Sequence, residues 1–107
     1  MFETSRQQES SVLVGLIPSA QPAEKAQEYL DELAFLAETA GAFTRKRFTQ
    51  KIDRPDPRTY VGTGKLEEIA TYVKAESIDL VLFDDELSAS QLRNIEREFN
   101  PDPLEAS

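Results

Sequence analysis

The stretch SVLVGLI, residues 11–17, is apolar and rich in β-branched residues, with no polar alternation. That is the pattern of a strand covered on both faces. Such a strand needs helices packed above and below it, so the run sets the expectation of an α/β fold. Pro18 and Pro22 close it. From Pro22, PAEKAQEYLDELAFLAETA puts Ala26, Tyr29, Leu30, Leu33, Leu36, Ala37 and Ala40 on one stripe at three- and four-residue spacing. This predicts a helix with that stripe turned to the sheet, stopped by Gly41. Upstream, residues 1–9 are polar and read as a flexible lead.

Downstream, AFTRKRFTQK (42–51) reads as a second strand, less apolar than the first and expected near an edge. IDRPDPRTYVGTG (52–64) is a loop, because two prolines within three residues deny the backbone both a helix and a central ladder. A helix is expected from about Lys65 to Glu76, with Leu66, Ile69, Ala70 and Val73 on its apolar face. IDLVLFD (78–84) is a third strand of buried type. Ser88 then caps a third helix lined on one side by Leu92, Ile95 and Phe99. The order β-α-β-α-β-α predicts a three-layer Rossmann-like or flavodoxin-like unit over residues 10–100, with a small parallel sheet in strand order 2-1-3. Residues 101–107, PDPLEAS, read as a tail left by truncation or cloning.

A length of 107 residues suits one small domain. No apolar run approaches the ~18 residues of a membrane span, and the N-terminus lacks the basic and apolar regions of a signal peptide, so a soluble, intracellular protein is expected. With no Cys and no His, thiol nucleophiles, histidine bases and most metal sites are excluded. The net charge of -8 is unevenly spread: residues 45–65 hold 7 basic against 2 acidic residues. Arg45, Arg47, Lys51, Arg54, Arg58 and Lys65 are therefore candidates for phosphate contacts, with Tyr60 as a stacking candidate; a solvated charged face is the equally weighted alternative. Regular alternation along the second strand would put Arg45 and Arg47 on one face and Phe48 on the other.

The segment GTGK (62–65) matches only two of the four fixed positions of a Walker A loop, with Thr59 and Leu66 at the other two. Its main reading is a tight turn into a helix, and its second an anion contact through Gly62, Gly64 and Lys65. FDDE (83–86) stands at the carboxyl end of the third strand, where open α/β sheets place ligands. A Mg²⁺ site would need further acids after the first strand, where LIPSAQP has none, so Asp84 and Asp85 are minor metal candidates beside the reading of an acidic helix-initiating turn. No catalytic residue is expected, since Ser88 and Ser90 have no histidine to activate them.

TQKIDRPDPRTYVGTGKLEEI, followed by DLVLFDDELSASQLRNIE, resembles the N-terminal domain of HflX-type GTPases. The matching residues are Gln50-Lys51, Pro55-Asp56-Pro57, Thr59-Tyr60, Gly62, Gly64-Lys65, Phe83 to Ser88, Ser90-Gln91 and Arg93-Asn94. The resemblance covers about residues 11–99 and implies a cytoplasmic, ribosome-associated protein. In that family this domain precedes a helical segment and a G domain that binds GTP and Mg²⁺, and it helps dock the protein on the large ribosomal subunit, through rRNA and ribosomal proteins, during ribosome splitting or rescue under stress. It also implies a purine nucleotide activity of the N-terminal region, for which Gly62 to Lys65 is the available segment. No GTPase motif occurs in the chain, so these 107 residues are not expected to hydrolyse GTP.

Overall fold

Residues 11–17 lie in the strand around which the molecule is arranged: β1, Glu9–Ile17, is the centre of a three-stranded parallel sheet, with β2 (Ala42–Lys51) on one side and β3 (Leu80–Phe83) on the other. The structure, a computed structural model, describes residues 8–100. Of the expected flexible lead, residues 1–7 lie outside the described residues and Glu9 already belongs to β1; the tail 101–107 lies outside them too. The chain continues through α1 (Ala23–Thr39), β2 (Ala42–Lys51), α2 (Thr63–Ala75), β3 (Leu80–Phe83) and α3 (Ala89–Phe99). Element order and strand order are those the sequence predicts.

Alternation along β1 builds two cores. Val12 and Val14 point to one face, where they join Phe48, Tyr60, Val61, Leu66, Ile69 and Ile95 beneath α2 and α3. Leu13 points to the other, against Leu30 and Ala34 of α1. Val12, Leu13 and Val14 are each at most 1% exposed, so the central strand is dry on both sides, which is why its sequence carries no polar alternation.

The stripe expected to bury α1 is rotated. Ala26, Leu30, Ala34 and Ala37 face the sheet, whereas Tyr29 and Leu36 are 54% and 56% exposed, Leu33 is half-buried and Ala40 exposed. The alanine side lets the helix lie close over β1, and Asp31 on the flank toward β2 pairs with Arg47 at 2.8 Å. Tyr29 and Leu36 are thereby left on the flank toward β3, where the Tyr29 hydroxyl donates to the carbonyl of Asp84 at 2.9 Å. β3 is likewise shorter than expected and half-buried throughout, because it is an edge strand with β1 as its neighbour on one side. In α3, Ile95 is buried, Phe99 half-buried and Leu92 46% exposed, with Gln91 taking the inward place.

β2, the other edge, contains an irregularity. Its register with β1 runs Ser11 to Thr44 and then Val12 to Lys46, so Arg45 is the extra residue of a bulge. The bulge reverses the expected grouping. Arg45 reaches Glu76 beyond α2 at 3.0 Å, Lys46 lies over the rings of Phe48 and Tyr72 on that same side, and Arg47 turns to Asp31 of α1.

Candidate functional site

Loop 52–62 carries the centre of the basic stretch, and three segments of the fold hold it. Asp53 accepts from the backbone N–H and hydroxyl of Ser19, after β1, at 2.8 and 2.9 Å. These two bonds, the backbone one first, hold the Asp53 carboxyl below the usual carboxylate range. Gln91 and Asn94 of α3 donate through their side-chain amides to the carbonyls of Asp56 and Arg58, at 2.8 and 2.9 Å. At the loop's end the Gly62 N–H donates to Gln50 Oε1 of β2 at 2.9 Å. The tip is closed by a reciprocal backbone pair between Asp56 and Tyr60 and by Asp56 Oδ1, which accepts from the N–H groups of Arg58 and Thr59. The PDP segment is thus a fastened turn from which the Arg54 and Arg58 side chains are exposed.

Arg58 opens onto a hollow of about 220 Å³ at the start of α2, lined also by Asp56, Thr59, Thr63, Leu66, Asn94, Arg97 and Glu98. Asp56 is engaged by its own loop, and α2 starts without a side-chain cap, so the hollow sets two arginines, two threonines and the positive end of a helix beside the carboxylate of Glu98. Arg97 was missed by sequence reasoning, since it lies outside the basic stretch; the only available signal was its i,i+3 spacing from Asn94, which puts both on one side of α3.

The remaining candidates are placed apart. Among the described residues Arg45, Arg47 and Lys65 are in ion pairs, with Glu76, Asp31 and Glu68, while Lys51, Arg54 and Arg58 are in none. Tyr60 is 4% exposed, its ring edge-on to Phe83 at 5.5 Å, so stacking on a base is not open to it. Its hydroxyl donates to Asp84 Oδ1, and burial first, then that bond, pushes it well above the usual tyrosine range, so it remains a donor. Gly62 is the N-cap of α2 and Gly64 lies inside its first turn, two residues earlier than expected, and neither has a positive φ; the left-handed residue of this loop is Tyr60, at 69°.

Asp84 and Asp85 line a different cavity, of about 400 Å³, beyond the carboxyl ends of β1 and β3, walled by Leu16, Ile17, Ala26, Leu30 and Ile52 with Asp53 on its rim. Lys65 does not line it, so Gly62 to Lys65 and the two aspartates do not share a site. Among the described residues no group of three or more Asp or Glu could hold a metal ion, and no helix is long and apolar enough to cross a membrane.

A three-stranded parallel α/β domain with a fastened basic loop defines the class; comparison with known proteins gives the family. Residues 27–102 match the model of the family described as GTP-binding GTPase N-terminal. The chain is 51% identical over 89 residues, 83% of its length, to GTPase HflX of Flavobacterium psychrophilum. It is 40% identical over 96 residues (90%) to that of Caldanaerobacter subterraneus, and 38% over 97 residues (91%) to that of Escherichia coli. In each case it spans 22% of the relative's length. The chain belongs to the family of N-terminal domains of HflX GTPases.

Proposed function

We propose that this domain docks a GTP-hydrolysing HflX protein on the large ribosomal subunit in the cytoplasm, where the whole protein, with its helical and G domains, GTP and Mg²⁺, acts in ribosome splitting or rescue under stress. The observation that carries the reading is the fastened loop: Arg54 and Arg58 stand exposed on a loop that three other segments hold, and Arg58 shares its hollow with Arg97. Arginines carried on preformed backbone suit phosphates fixed in a folded RNA, because little backbone ordering entropy is lost on contact. The domain supplies contacts and no chemistry of its own.

Cosedimentation with purified large ribosomal subunits across a salt series tests this. Each phosphate contact adds about 0.7 to 0.9 to the slope of log K against log salt, so an Arg58→Ala, Arg97→Ala protein is expected to bind more weakly with a slope smaller by up to about 2. Unchanged affinity and slope would overturn the reading.

A further inference from the structure

Arg58 stands at the tip of a loop only three residues long between the paired backbones of Asp56 and Tyr60. The residue that closes this loop is in a conformation that a bulky side chain seldom adopts, with φ 69° at Tyr60. Something must hold it there. The Tyr60 N–H donates to the Asp56 carbonyl at 2.8 Å and its carbonyl accepts from the Asp56 N–H at 3.0 Å. Its hydroxyl reaches across the sheet end to Asp84, whose other oxygen accepts from the N–H of Leu16 at 3.1 Å. Gly15 makes that last approach possible, since a Cβ there would come within 3.3 Å of the same carboxylate oxygen. Asp84 is thus fixed to the central strand, and the tyrosine is fixed to Asp84.

We propose that Tyr60 is a positioning residue for Arg58: through Asp84 it ties the loop tip to β1 and β3, so that Arg58 is held at the hollow whose lining it shares with Arg97, for contact with a phosphodiester group. The proposal deepens the docking reading and rests on it. Tyr60 itself is buried and lines the cavity of Asp84 and Asp85, not the hollow of Arg58. Its contribution to binding passes entirely through the backbone of Arg58, and this separates it from a residue that merely adds stability.

The test is a double-mutant cycle with Tyr60→Phe and Arg58→Ala, each alone and combined, read as affinity for purified large ribosomal subunits at one salt concentration, with amide exchange measured on each free protein. Tyr60→Phe removes one oxygen and keeps the ring in the core. It is expected to weaken binding by about 3- to 10-fold when Arg58 is present and to add nothing when Arg58 is alanine, the non-additivity of two residues acting as one unit. Exchange at the amides of Arg58 and Thr59 is expected to quicken, with the amides of α2 unchanged. Equal penalties in both backgrounds, or wild-type affinity for Tyr60→Phe, would overturn the proposal. If the wild-type domain binds no subunits, the docking reading fails, and the exchange measurement decides the positioning claim alone: unchanged protection at Arg58 and Thr59 overturns it.

Discussion

The side-chain oxygen of Gln50 accepts the backbone N–H of Gly62 at 2.9 Å, and the same amide group leaves no space at Gly62, where a Cβ would lie 3.1 Å from Gln50 Nε2. Gly64, two residues on, has open space around it and sits within α2. Two glycines of one short motif therefore have opposite roles. Gly62→Ala is expected to destabilise the domain by about 1 to 2 kcal/mol, through displacement of Gln50 and loss of its hydrogen bond. Gly64→Ala is expected to stabilise it by about 0.5 to 1 kcal/mol, because alanine loses less backbone entropy in a helix. Urea denaturation of both proteins checks the signs.

The start of α3 is held by a reciprocal cap. Ser88 Oγ accepts from the Gln91 N–H at 3.1 Å, and Gln91 Oε1 accepts from the Ser88 N–H at 2.9 Å. Gln91 also donates to the Asp56 carbonyl, so this cap and the basic loop share one side chain. Ser88→Ala is expected to cost about 1 kcal/mol. Gln91→Ala is expected to cost more in thermal denaturation, since it also leaves the Asp56 carbonyl without that donor.

Asp53 gives a pH dependence of known sign. Its carboxyl is held below the usual range by the two bonds from Ser19, so their contribution to stability is full above the ordinary aspartate value and fades as pH falls through the lower folded value. Carboxyl ¹³C titration is expected to show a depressed midpoint for Asp53, and Ser19→Ala is expected to raise it only in part, because the larger, backbone bond remains.

The nucleotide reading of GTGK meets groups already engaged. The Gly62 N–H is bonded to Gln50, and Lys65 Nζ is 3.2 Å from Glu68. Titration of this domain with ATP or GTP to millimolar concentration is expected to show no saturable binding. A saturable signal abolished by Lys65→Ala would restore that reading.

Most of the fold was legible because it rests on local pattern: an unbroken apolar run for β1, a full i, i+3, i+4, i+7 face for α2, and a capping serine for α3. What was not legible depends on neighbours distant in sequence. The roll of α1 goes with partners on both of its flanks, Arg47 for Asp31 and the Asp84 carbonyl for Tyr29, and it leaves Tyr29 and Leu36 exposed. Tyr60 read as an aromatic among arginines, and only the arrival of Asp84 from 24 residues away makes it an internal tie. Arg97 joins Arg58 because α3 folds back over the loop, a meeting that no spacing in the chain announces.

The bulge at Arg45 turns a single edge strand into a two-sided rim. Had the strand alternated regularly, Arg45 and Arg47 would have stood side by side like adjacent teeth of a comb. With Arg45 the extra residue of the bulge, one tooth bends to each side, and each is held by an acid from a different helical layer. A long polyanion lying flat against either broad side meets one of these arginines and not the other. The loop beyond the strand's far end, by contrast, carries Arg54 and Arg58 together, with Asp53 and Asp56 turned to backbone N–H groups.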